Sequence, residues 1–238
     1  MFMICVLACG ECSAQWSRLS RDTIRLEGVI GKDSYQAYRE AAKDGYSKVI
    51  LRSEGGTPMP ALMIALDMQK HRPQITVDGY CLSSCANYLF LASPASVVQC
   101  GALLMWHGSP SGSFSSNIEK MRLDGKNPQL IGKYEEWASR FDAMEREFFG
   151  LTGVDRKLLS DSVAIVRREK IVPESVFTFD EVTGDYSESV SSGLWVPTTK
   201  VISGYGVDVS NFCSSYDADI PKTLDRLGVT APYTSAGP

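Results

Sequence analysis

The stretch Gly79-Tyr80-Cys81-Leu82-Ser83-Ser84-Cys85-Ala86 sets two hydroxyls between two cysteines, where one apolar run ends at Val77 and another, "NYLFLA", begins at Asn87. Hydroxyls buried at such a junction cost stability unless they are bonded, so a chemical role has to be weighed. A serine becomes a nucleophile when a neighbouring base takes its proton. The chain offers two histidines for that task, His71 and His107. His71 lies in the polar connection "QKHRPQ" and reads as a solvated loop residue. His107 ends the apolar strand "ALLMW" and precedes Gly108, which anchors its backbone while leaving the ring able to reach a crevice. The bland alternative is a structural histidine capping that strand.

The surrounding elements must bring these groups together. "TIRLEGVI" (23–30) alternates like a half-buried strand, and Tyr35, Tyr38 and Ala42 fall at helical spacing from Asp33 to Lys43 before Gly45. "KVILR" (48–52) is a short strand running into Ser53-Glu54-Gly55-Gly56, and Pro58 and Pro60 suit the first turn of a helix reaching about Lys70. "QITV" (74–77) leads into the serine turn, and 84–92 has the composition of a deeply buried helix. Two successive β-turn-α units imply an α/β layered fold with a mostly parallel sheet. Ligand sites in such sheets lie beyond the carboxyl ends of strands, where helix N–H groups can stabilise developing negative charge.

Composition narrows the classes. The chain has 238 residues, 44% apolar, with 24 basic and 28 acidic side chains and a net charge of −4. It carries no Lys/Arg block, so a nucleic-acid surface has little support. No apolar run approaches the roughly 18 residues of a membrane span. Residues 1–14, apolar and small, resemble the core and cleavage site of a secretory signal without a basic start, and Val6-Leu7-Ala8-Cys9 loosely resembles a lipobox. An extracytoplasmic, periplasmic location is expected, with a lipid anchor at Cys9 left open. Of seven cysteines, Cys5, Cys9 and Cys12 fall in that leader, and Cys81, Cys85, Cys100 and Cys213 in the body. Cys81, Cys85, Cys100 and His107 are zinc-ligating types but lack the paired spacing of structural sites, so no metal or other cofactor is expected. Export would instead favour oxidation of Cys81 or Cys85, with each other or with Cys100, and buried free thiols are the alternative.

Gly-Gly after a strand, then Gly-x-x-x-Ser, then a strand ending in His resembles the proteolytic subunit of the Clp protease, which has the ClpP/crotonase fold. The family's Ser-Pro-Gly-Gly turn matches Ser53-Glu54-Gly55-Gly56, and its Gly-x-Ala-Ala-Ser-Met-Gly-Ala matches Gly79 to Ala86. The resemblance implies Ser83 as nucleophile, His107 as base, and the N–H groups of Gly56 and Ser84 as oxyanion hole, with Ser84 the competing nucleophile. The 24 residues from Ser83 to His107 fit the family's spacing. "SVSSGLWVP" (189–197) is similar to the family's closing turn, and counting back about twelve residues from Gly193 gives Glu181; the resemblance implies Asp180, one residue further, as the acid that orients His107 because aspartate is the family's residue, with Asp185 a solvated carboxylate. A serine peptidase acting on a peptide or protein substrate is thereby implied, and a homo-oligomer is left open. The alternative is a catalytically silent binding or scaffold protein on the same fold.

The sequence departs from the family at Glu54, where it has proline, and at Gly108, where it has Gln-Pro. Ring assembly and chaperone docking therefore do not carry over. Between the motifs, "HGSPSGSFSSN" (107–117) reads as a mobile cleft wall. The longest helix, about 127–149, carries an apolar stripe of Leu130, Tyr134, Trp137, Phe141, Met144 and Phe148. A short helix is expected within 152–163, and a strand and turn over 175–189. The domain is expected over 20–197, followed by an accessory segment, 198–238, of weak periodicity.

Overall fold

Alternation of apolar and polar side chains builds the first strands as read from sequence. The structure, a computed structural model, describes residues 15–169, 171, 175–179, 186–190 and 193–238. Strand β1 (Gln15–Arg18) is antiparallel to β2 (Thr23–Ile30), whose Ile24, Leu26 and Ile30 point into the core. Helix α1 (Ser34–Ala42) leads to β3 (Lys48–Gly56), and α2 (Pro58–His71) leads to β4 (Gln74–Leu82). Strands β2, β3 and β4 run parallel.

Two short strands share the far side of β4. β5 (Ser96–Val98) pairs with Ile75 to Val77, and β6 (Leu103–Met105) pairs with Tyr80 to Leu82, both parallel. The described sheet therefore has the order β1-β2-β3-β4-β5, with β6 beside the end of β4. This is a mixed α/β architecture on a mostly parallel central sheet. β3 and β4 both run longer than expected: β3 continues through Ser53, Glu54 and the two glycines, paired with Val29 and Ile30 of β2, and β4 continues to Leu82, up to the serine turn.

The 84–92 segment is buried throughout, yet it winds as a π-helical turn (Cys85–Leu89) and then a 3-10 turn (Phe90–Ala92) instead of one α-helix. Residues 107–117 also differ from the open loop expected. Pro110–Gly112 form a 3-10 turn capped by the Ser109 side chain, and α3 (Phe114–Leu123) follows directly. Phe114, Ile118 and Met121, spaced i, i+4 and i+7, pack against Leu130, Ile131 and Tyr134, which makes the segment helical.

Helix α4 (Pro128–Thr152) carries the expected stripe; it starts at an Asn127 cap and ends at Gly153, whose φ of 73° closes the turn. Helix α5 (Lys157–Arg168) buries Leu158, Leu159, Ile165 and Val166. Strands β7 (Ser175–Phe179) and β8 (Tyr186–Val190) form an antiparallel pair. β9 (Leu194–Trp195) meets Trp106 through a two-way backbone bridge, with both N···O distances 2.8 Å. After it come α6 (Thr199–Ser203), α7 (Tyr216–Arg226) and β10 (Tyr233–Thr234).

The segment after 197, left unassigned from sequence, packs into the same core as the sheet. Tyr216, Ile220 and Leu224 of α7 are buried there, β10 pairs with β9, and Cys213 is bonded to Cys100. No helix among the described residues is long and apolar enough to cross a membrane.

Candidate active site

Ser83 follows the last residue of β4 and has a φ of 57°, the left-handed region that costs a non-glycine residue about 1–2 kcal/mol. Such strain persists only where the surroundings over-determine the conformation. Here they do so on three sides. Ser83 N donates to Met105 O of β6 (3.0 Å), and its carbonyl accepts from Asn87 N of the π-turn (2.7 Å). A disulfide joins Cys81 to Cys85 across the turn, with Cα atoms 5.3 Å apart and both residues fully buried. The end of β3 closes the third side: a Cβ on Gly55 would lie 2.4 Å from Leu82 O, 2.8 Å from Ser84 N and 2.9 Å from Ser83 Cβ. Gly55 is thus required by close backbone approach as well as by its φ of 82°.

The two serines are not equivalent. Ser84 is buried, and its Oγ donates to Gly56 O at 2.8 Å, tying the serine turn to the glycine turn. Ser83 is half-buried, and its hydroxyl has no hydrogen-bond partner among the described residues. The amides that follow Ser83 open the buried turn, where helical N–H groups have no partner within the helix.

His107 comes two residues after Met105, which is paired in register with Leu82, so the serine and the histidine leave adjacent parallel strand ends. Burial pushes the ring's pKa down to about 4, because desolvation disfavours the imidazolium. Ser83 and His107 are not joined by a hydrogen bond, and His107 has no side-chain partner among the described residues. Catalytic hydrogen bonds are often long before substrate binds.

Both polar residues of the run "NYLFLA" reach from the serine side to the histidine side. Asn87 Nδ2 donates to Gly108 O at 2.7 Å from a buried position. Tyr88 OH donates to Glu145 Oε1 at 2.7 Å, and Ser109 Oγ donates to the same oxygen at 2.6 Å. Arg156 donates to Glu145 Oε2 through Nε (2.9 Å) and Nη2 (2.6 Å) and also pairs with Asp142. Glu145 is 0% exposed, so this is a carboxylate buried with all of its acceptor capacity engaged. Sequence reading missed Glu145, although a carboxylate interrupting the stripe between Phe141 and Phe148 is the signal that could have found it.

Asp180, Glu181 and Asp185 lie outside the described residues, as do residues 1–14 with Cys5, Cys9 and Cys12. Glu145 does not touch His107, so it fixes the position of the chain after the histidine without bonding the ring. Cys81 is oxidised with Cys85, as one of the expected pairings has it, whereas Cys100 bonds Cys213 and not the serine turn. No cluster of His, Cys, Asp or Glu suited to a metal ion occurs among the described residues. His71 ends α2 at the surface with its ring 5.6 Å from that of Tyr46, and it does not line the cleft beside His107.

A cleft of about 610 Å³ opens beside His107, walled by Gly108, the Ser109–Ser113 turn and one face of α5. Ser83 does not contribute to its wall, which meets the strand ends through His107. In comparisons with known proteins, no family model and no curated protein matches the chain. What the fold and site establish is an α/β chain with a mostly parallel sheet, a strained serine on one strand end, and a desolvated histidine on the next.

Proposed function

We propose that the chain is a serine hydrolase of peptide bonds, with a ClpP/crotonase-like arrangement of site residues. In this reading His107 takes the proton of Ser83 Oγ as the oxygen attacks the substrate carbonyl, and the N–H groups of Gly56 and Ser84 hold the resulting oxyanion. His107 then gives the proton to the leaving amine, and water releases the acyl group by the same steps in reverse. Asp180 accepts the second ring N–H of His107 and fixes its tautomer.

The observation that carries the reading is the left-handed backbone of Ser83 at the end of β4, its hydroxyl unengaged while Ser84 Oγ is held by Gly56 O. Two disulfides support an oxidising compartment outside the cytoplasm. A catalytically silent binding protein is the second reading, favoured by the absence of a Ser83–His107 hydrogen bond.

Labelling with an active-site serine phosphonate separates the two. Wild type is expected to label at Ser83, and Ser83→Ala to lose both the label and at least about a thousand-fold in turnover. Loss of label on Ser84→Ala but not on Ser83→Ala would move the nucleophile by one residue. An unlabelled wild type would favour the binding protein. Asp180→Asn is expected to cut turnover by orders of magnitude with folding intact, and a loss on Glu181→Gln instead would reassign the acid.

A further inference from the structure

The wall of the cleft opposite His107 is the face of α5 bearing Lys157, Ser160, Val163 and Arg167. Arg156 at its start is neutralised by Glu145 and Asp142. Lys157 and Arg167 are exposed, and neither has an ion-pair partner among the described residues. The carboxylate on the wall, Asp155, already accepts from Lys157 N at 2.9 Å. In a chain of net charge −4, the cleft beside the histidine thus presents two cations without carboxylate partners. Ser111 adds a hydroxyl on the facing turn, whereas the Ser109 proton is committed to Glu145.

Spacing refines this picture. A Cβ on Gly108 would lie 2.4 Å from Val163 Cγ2, so the residue after His107 sits against the middle of α5. Val163 is six residues from Lys157 and four from Arg167, or roughly 9 Å and 6 Å along the helix axis. An extended peptide advances about 3.3 Å per residue. The cations therefore flank the position of His107 at distances of about three and two substrate residues.

We propose that this cleft binds carboxylates of the substrate chain, with Lys157 and Arg167 favouring acidic groups two to three residues from the scissile bond. The substrate class is then an acidic peptide segment, its carboxylates coming from side chains or from a free C-terminus. The inference rests on the hydrolase reading for the word substrate, and on the cleft alone for carboxylate binding.

Binding to Ser83→Ala protein tests it without turnover. The probes are fluorescent peptides carrying Glu, Gln or Lys at the flanking positions, and a Gln peptide ending in a free acid or an amide. The Glu peptide is expected to bind about ten-fold tighter than the Gln peptide at low ionic strength, with the advantage shrinking as salt rises. Adding Lys157→Glu and Arg167→Glu should reverse the preference toward the Lys peptide, with the circular dichroism spectrum unchanged because both side chains are exposed. A gain from the free-acid end alone would assign the site to the C-terminus. Equal binding of Glu and Gln peptides, or a preference unmoved by charge reversal, would overturn the proposal. Phosphonate labelling of wild type reads the other claim separately: labelling without acidic preference sinks the substrate class alone, and acidic preference without labelling keeps the carboxylate site and sinks the hydrolase.

Discussion

The ends of β4 and β6 are neighbours in one sheet, yet they are held by different means. At the end of β4, Ser83 is fixed by one short covalent link, the disulfide between Cys81 and Cys85, and by backbone: Gly55 of β3, Met105 O of β6 and the first turn of the buried segment. At the end of β6, the chain after His107 is fixed by buried side chains: Asn87 on Gly108, and Tyr88, Glu145 and Arg156 around Ser109. The position of the proposed nucleophile thus rests on backbone approach and a short disulfide, while that of the proposed base rests on buried side-chain hydrogen bonds. The first can be destroyed by adding one methyl group, the second by removing one carboxylate.

The largest effect expected of this contrast is at Glu145. Glu145→Ala leaves the Tyr88 and Ser109 hydroxyls without their acceptor and Arg156 with Asp142 alone, and should lower stability by about 3–5 kcal/mol in denaturant melts. A change below about 1 kcal/mol would mean that the Glu145 network does not hold the histidine end. Gly55→Ala comes next, with an expected loss of about 2–3 kcal/mol from the left-handed φ and from overlap with Leu82 O. Gly132→Ala in α4, where nothing lies within 4 Å, should be neutral or slightly stabilising and serves as the control.

Removing the disulfide across the serine turn should cost less, about 2 kcal/mol by loop entropy, because it joins residues only four apart. Cys81→Ala/Cys85→Ala is therefore expected to stay folded but to react more slowly with the phosphonate, since the strained Ser83 loses one of its restraints. An unchanged labelling rate would leave Gly55 and the backbone bonds as sufficient. Mass spectrometry finding alkylatable thiols at Cys81 and Cys85 in protein isolated without reductant would remove the bond itself.

The smallest effect is on pH. A histidine whose pKa falls to about 4 in the folded protein stays neutral, and able to act as base, well below its ordinary value of 6.5. With no carboxylate at the ring, kcat/KM should hold down to about pH 5 and fall as pH drops through about 4. Between about 4 and 6.5 the unfolded chain binds the proton and the folded chain does not, so stability rises with pH across that window. His107→Gln should flatten the slope. An activity inflection well above 4 would place a carboxylate beside the ring and sharpen the case for Asp180.

Much of the fold was legible because strands and helices here carry clean periods. Ile24, Leu26 and Ile30 alternate along β2, and Leu130, Tyr134 and Phe141 recur along α4. The 107–117 segment was misread because its glycines and serines outweighed the i, i+4, i+7 signal of Phe114, Ile118 and Met121. In the tail, Tyr216, Ile220 and Leu224 carry a helical period too short to stand out among turn residues.

The sequence by itself determined which residues are at stake: Gly55-Gly56, Ser83-Ser84 and His107, each following an apolar run that reads as a strand. It could not tell which serine hydroxyl is engaged, pair the four cysteines or find Glu145. Those were decided by the tertiary structure, since they depend on distances between segments that the chain does not encode locally. Ser84 is engaged because the Gly56 carbonyl lies within 2.8 Å, and Cys100 finds Cys213 because α7 packs against the sheet. Glu145 is tolerated in the core because Tyr88, Ser109 and Arg156 converge on it from three other elements, and a buried carboxylate is stable only where donors saturate both of its oxygens.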